Sequence, residues 1–297
     1  MLAPGPHGGD GARLAAALGV DPAAVLDLSA SLNPYPPDVA EVVAKHLDCL
    51  GRYPDPAPAT EALAAAMGVD ADKVLLTNGG SEAISLVAGE LGGGRVQEPD
   101  FGLYPRWGAP WRWRSNPHNP TGTLASAAET ADVWDEAFYP LATGAWTSGD
   151  PGAVVVGSLT KVFACPGLRV GYVVATPALV RRLAARQPLW ALNGLAAAAL
   201  PDLLERADLP GWAAAVSAGR ARLVALLEAY GLRPQPSQAN YVLVEGVGDL
   251  RAGLARCAVL VRDCASFGLP GRTRVAVPDA PGLARLAEAL EVACGGR

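Results

Sequence analysis

The sequence predicts an α/β protein: a large unit with a mainly parallel central sheet, followed by a smaller α+β unit. Through the first two thirds, short β-branched runs alternate with alanine- and leucine-rich segments, the pattern of strands joined by helical crossovers. The last third instead sets three strand-like runs against only two helices. The 297 residues are about twice a typical domain, and 51% hydrophobic against 18% charged residues excludes a disordered chain.

The elements follow in order. Residues 1–33 read as an N-terminal arm packing with the small unit, 34–205 as the large domain and 206–297 as the small one. Prolines at 34–37 (PYPP) and 54–58 fix extended linkers. A helix is expected over 58–68. Lys73 to Thr77 (KVLLT) is a buried strand that turns at Asn78 to Ser81 into a helix ending near Gly89. Leu91 to Ala131, rich in glycine, tryptophan and alanine, places no strand. Val154 to Gly157 and Gly171 to Ala175 are strands, with helices near 178–187, 195–206 and 211–230. Strands at Asn240 to Val244, Val259 to Arg262 and Thr273 to Val277, and helices at 249–256 and 281–293, complete the chain.

Composition narrows the function classes. A net charge of −5 without a basic run argues against nucleic-acid or anionic-membrane partners. The longest apolar run, Leu189 to Leu200, is broken by Asn193 and Gly194, so no membrane span is expected. The N-terminus lacks the pattern of a secretion signal, and a cytoplasmic location is expected. Five cysteines without a CxxC pair indicate neither a metal site nor a disulfide framework; they read as reduced and mostly buried. No GxGxxG or GK[ST] motif supports a nucleotide site.

Four motifs carry chemistry. Ser158 to Tyr172 (SLTKVFACPGLRVGY) follows a strand and holds Lys161, one of only three lysines, between Ser158 and Arg169. A lysine at a strand end, with hydroxyls and a guanidinium nearby, suits an aldehyde cofactor that also bears a phosphate. Asn116 to Gly122 (NPHNPTG) is a proline turn that directs the Asn119 amide inward. Asp135 follows the apolar pair Val133-Trp134. Thr77 to Ala83 (TNGGSEA) offers small residues and a helix N-terminus to an anion.

These motifs, in this order, resemble the fold-type I pyridoxal 5′-phosphate enzymes of the aminotransferase class, which includes threonine-phosphate decarboxylases and histidinol-phosphate aminotransferases. The resemblance covers nearly the whole chain. It implies that Lys161 binds the cofactor aldehyde as a Schiff base and Asp135 pairs with the ring nitrogen. Asn119 meets the ring oxygen, Phe101 (in PDFGLY) stacks on the ring, and Gly80, Ser81, Ser158 and Arg169 hold the phosphate. Tyr53 (in RYPD) would reach the partner's phosphate site in a homodimer, and Arg274 (in TRVAV) would clamp the substrate α-carboxylate.

Within the class, His7-Gly-Gly, the run Leu26 to Pro34 and the run Leu47 to Asp55 resemble threonine-phosphate decarboxylases. That resemblance places His7, Asn33 and Arg262 around a substrate phosphate. The implied reaction is decarboxylation of L-threonine O-3-phosphate to aminopropanol phosphate for the cobalamin side chain. Phe138 points the same way, because histidinol-phosphate aminotransferases commonly carry a tyrosine there and phenylalanine donates no hydrogen bond. An aminotransferase of the histidinol-phosphate type is the alternative.

One region departs from the pattern. Phe101 and Asn119 are 18 positions apart, and Asn119 and Asp135 only 16; family members usually carry more chain in both intervals. The strand before the asparagine turn is replaced by Trp107 to Ser115 (WGAPWRWRS), an edge strand or a loop. The trimming keeps open a cofactor-binding partner protein without activity, against which Lys161, Asp135, Asn119, Arg169 and Arg274 all remain.

Overall fold

The computed structural model describes residues 5, 7–149, 152–245 and 249–294. A two-residue strand, β1 (Leu26–Asp27), lies in the N-terminal arm. The large sheet then takes β2 (Val74–Thr77), β3 (Gly93–Val96), β4 (Trp107–Gly108), β5 (Arg112–Ser115), β6 (Val133–Asp135), β7 (Val154–Gly157) and β8 (Gly171–Val174). Their spatial order is β2-β8-β7-β6-β5-β3-β4. Strands β7, β6, β5 and β3 run parallel, β8 runs against both of its neighbours, and β4 runs against β3. The chain is α/β, as the sequence predicts.

The valine-rich strands read as near-continuous apolar runs because both faces are covered. Val154 and Val156 of β7 pack with Ile84 and Val87 of helix Gly80–Leu91 and Leu183 of helix Pro177–Arg186. Val155, between them, points to the opposite face, among Leu63, Leu159, Leu200 and Leu203. This period of two makes three layers. Helix starts follow local capping: Thr176 and Asn193 accept from the N–H groups of Leu179 and Ala196.

The stretch from Leu91 to Ala131 corrects the sequence reading, since it holds three strands. Strand β5 is neither a loop nor an edge; it lies between β3 and β6, with Trp113 only 1% exposed. Tryptophan here supplies the core volume that β-branched residues supply elsewhere. Gly94 makes room for it, because a Cβ there would lie 2.3 Å from the indole. The edge is β4, where Trp107 is exposed.

In the small unit β9 (Arg233–Pro234), β10 (Tyr241–Glu245), β12 (Arg262–Asp263) and β13 (Arg272–Ala276) form an antiparallel sheet in the order β12-β13-β10-β9. The strand expected at Val259 to Arg262 splits at Val261. Its first half, β11 (Val259–Leu260), pairs in parallel with β1 of the arm. Helix Leu209–Ala229 is 21 residues long and bridges the cores, with Trp212 in the large one and Leu223 and Leu227 in the small one. No helix among the described residues is long and apolar enough to cross a membrane. The five cysteines are free; Cys49, Cys165 and Cys264 are buried, and Cys257 and Cys294 partly so.

Candidate active site

A cavity of about 260 Å³ opens where the parallel strands end, the usual ligand position in a parallel α/β sheet. Three adjacent strands each deliver a polar group: Asn119 four residues past β5, Asp135 as the last residue of β6, and Lys161 in the short helix Leu159–Val162 after β7. Strand β2 leads into Gly80 and Ser81, and Arg169 precedes the antiparallel β8, so both reach the same edge. Gly80, Ser81, Phe101, Asn119, Asp135, Ser158, Lys161, Arg169, Arg274 and His7 all line the cavity.

The turn after β2 needs its glycines. Gly79 has φ +80°, and a Cβ there would meet the Arg169 guanidinium at 2.3 Å. A Cβ on Gly171 would lie 2.5 Å from the Gly79 carbonyl carbon and 2.6 Å from the Gly80 nitrogen. No side chain caps the helix that starts at Gly80, which keeps its first N–H groups for an anion beside Arg169.

The remaining polar groups are held tightly. Arg274, from β13 of the small unit, donates to the Asn119 Oδ1 at 2.5 Å and to the Ser29 carbonyl at 3.0 Å, and lies 4.7 Å over the Tyr241 ring. Its Nε is buried without a partner, a state that costs free energy and leaves a donor for a ligand. Lys161 Nζ donates to the Ala30 carbonyl at 3.0 Å. Burial, with the Arg274 and Arg169 charges nearby, lowers its pKa to about 8. Burial raises Asp135 to about 6 against the Ala137 N–H and the Tyr104 hydroxyl, which both donate to its carboxylate.

Three candidate residues lie outside this cavity. Arg262 donates to the Gly5 carbonyl at 2.8 Å and to Ser266 Oγ at 2.5 Å, in an adjoining crevice that His7 and Ser29 also line. Asn33 is turned away: its amide donates to the Val162 carbonyl and its Oδ1 accepts from the Tyr35 N–H. Its backbone N–H donates to the Lys161 carbonyl. Tyr53 stands on the surface, 77% exposed, stacked on Trp190 at 4.4 Å.

The motifs did not reveal two polar residues as parts of the site. Asp100 is buried and accepts from the N–H of Phe101 and from both the N–H and Oγ of Ser115; Ser115 Oγ in turn accepts from the Asn119 N–H. This links the aromatic wall to the asparagine turn. Tyr104, three residues after Phe101, bonds Asp135 at 2.7 Å. A polar residue in an otherwise turn-like segment was the available signal.

Residues 113–290 match the family described as aminotransferase class I and II. The chain belongs to that family. Threonine-phosphate decarboxylase of Salmonella typhimurium is 32% identical over 96% of this chain and 95% of its own. Histidinol-phosphate aminotransferase 2 of Pseudomonas aeruginosa is 30% identical over 89% and 88%. The histidinol-phosphate aminotransferase of Clostridium acetobutylicum shares the fold, with a TM-score of 0.80 at 21% identity over 92% of this chain and all of that one. The alignment with the Salmonella protein takes 347 positions, more than this chain has residues, so that relative carries segments absent here. The cofactor is pyridoxal 5′-phosphate. The donor set fits it: a buried amine of lowered basicity, a buried carboxylate, and a guanidinium beside an uncapped helix start.

Proposed function

We propose that this pyridoxal 5′-phosphate enzyme decarboxylates L-threonine O-3-phosphate to aminopropanol phosphate, the precursor of the cobalamin side chain. The observation that carries the reading is Phe138. It lines the cavity and packs in a T-shape with Tyr241 at 5.1 Å, presenting an apolar ring where a transaminating relative would present a hydroxyl donor. The extent of the match to the Salmonella decarboxylase supports it.

In this reading Lys161 captures the cofactor aldehyde, Asp135 faces the ring nitrogen, Asn119 the ring oxygen, and Phe101 the ring face. Gly80, Ser81, Ser158 and Arg169 hold the phosphate. When bound, the cofactor supplies an electron sink for the charge released at the substrate Cα. Arg274 holds the substrate carboxylate through its unpartnered Nε and its Nη groups. Arg262, with His7 and Ser266 beside it, takes the distal phosphate; Asn33, spent on the backbone under Lys161, is left out of that subsite. Two fixed anions define one torsion about Cα, so orientation selects which bond breaks. Carbon dioxide leaves, and Lys161 Nζ returns a proton to Cα.

The exposed Tyr53, Trp190, Leu189 and Leu50 form an apolar surface that a homodimer would cover, with Tyr53 reaching the partner's phosphate subsite. Transamination is the second reading, favoured by the aminotransferase relatives. Incubating holoenzyme with O-phosphothreonine, and separately with histidinol phosphate plus 2-oxoglutarate, distinguishes them. Decarboxylation requires carbon dioxide release from O-phosphothreonine without an oxo acid; conversion of 2-oxoglutarate to glutamate with histidinol phosphate as amino donor would establish transamination.

A further inference from the structure

Asp135 meets the chain through two donors. The Ala137 N–H holds Oδ1 at 2.9 Å and the Tyr104 hydroxyl holds Oδ2 at 2.7 Å. The first is fixed by the turn after β6, whereas the second comes from a loop 31 residues away in sequence. Tyr104 is only 3% exposed, set edge-on to Phe101 at 5.6 Å and tilted against Trp113 at 5.7 Å. These contacts hold the ring, and its hydroxyl points at the carboxylate. Burial beside Asp135 and Asp100 holds the phenol well above its ordinary pKa, so the hydroxyl remains a donor throughout the working range.

We infer that Tyr104 is a positioning residue for Asp135, holding the carboxylate ionised and turned toward the ring nitrogen. The inference rests on the assignment of Asp135 to that nitrogen and goes beyond it, because it names what keeps the anion in place. The other titratable groups around Asp135 are Lys161 after β7, Asp100 in the loop after β3, Glu136 next in the chain, Tyr172 on β8 and Tyr241 on β10. Asp100 opposes ionisation and Lys161 favours it. A hydrogen bond to a charged acceptor is worth more than a neutral one, so Tyr104 tips this balance toward the anion.

The test uses apo-protein and pyridoxamine 5′-phosphate, which carries no aldehyde and leaves covalent capture by Lys161 out of the measurement. Affinity is read from quenching of tryptophan fluorescence between pH 4.5 and 8 for wild type, Y104F and D135N. Wild type loses affinity as pH falls through the Asp135 titration. In Y104F, which keeps the ring and its packing, that loss begins about one pH unit higher, a tenfold change in proton affinity. D135N loses the limb altogether, after subtraction of the ligand's own titration common to all three. A Y104F midpoint equal to wild type, or a uniform loss of affinity at every pH, overturns the positioning role while the D135N result upholds the Asp135 assignment. A limb that persists in D135N overturns both.

Discussion

In the proposed assignment, covalent cofactor binding depends on the basicity of Lys161, which is open to direct measurement. Only the free amine attacks an aldehyde. At its ordinary value of 10.5, about 0.03% of the amine would be free at pH 7. At about 8, roughly a tenth is free, a gain of about 300-fold in reactive species. The rate of capture of pyridoxal 5′-phosphate by apo-protein, followed by stopped-flow absorbance, should rise about tenfold from pH 6 to 7 and level off above about pH 8.5, where the rate of a lysine peptide still climbs. R274Q removes a positive neighbour and should move the midpoint upward, yet leave it below 10.5, because burial is the larger cause. K161A should capture nothing that borohydride can fix. A rate still climbing at pH 10 in wild type would refute the argument that burial and cationic neighbours lower this amine.

Four further outcomes follow from the geometry. Gly171→Ala drives a Cβ into the backbone of Gly79 and Gly80; denaturant titration should show a loss of about 2 kcal/mol together with weaker cofactor affinity. Gly89→Ala, on the exposed side of its helix with open space around it, should instead gain about 0.5–1 kcal/mol. Asp135 has its pKa raised in the folded chain, so the stability it contributes is present below its unfolded value of 3.8 and is lost as pH rises through about 6. Apo D135N should therefore match wild type near pH 4 and exceed it by up to about 3 kcal/mol at pH 7.5 in thermal unfolding. If the Tyr53 surface is a dimer interface, light scattering should find wild type dimeric and L189E monomeric with unchanged circular dichroism; a monomeric wild type removes that role for Tyr53.

The sequence was most legible where one residue type carries both structure and chemistry. Val154 to Gly157 could only be a buried strand, and the motif that follows it placed Lys161 and Arg169 at its end. Asp135, which the resemblance singled out, lines the cavity although its strand is only three residues long. The stretch from Gly93 to Ser115 was illegible because tryptophan and glycine, neither of which signals a strand interior by alternation, share the packing between them. Asp100 and Tyr104 escaped for another reason. Their importance lies in hydrogen bonds to residues 15 and 31 positions away, and no local pattern records such pairings. The turned-away amide of Asn33 is of the same kind: its motif marked the position, and only the fold shows what the side chain holds.

The pairing of Leu26–Asp27 with Val259–Leu260 sets an order on biosynthesis. His7, Gly8, Ser29 and Ala30 form one wall of the cavity, yet the strand that anchors them, Val259–Leu260, is synthesised long after them. A nascent chain can complete the sheet and its lysine first, but the wall, together with Arg274 on β13, is fixed only after residues 259–276 have been made. A chain truncated before residue 259 should thus lack any enclosure for an amino acid, whatever its grip on the cofactor.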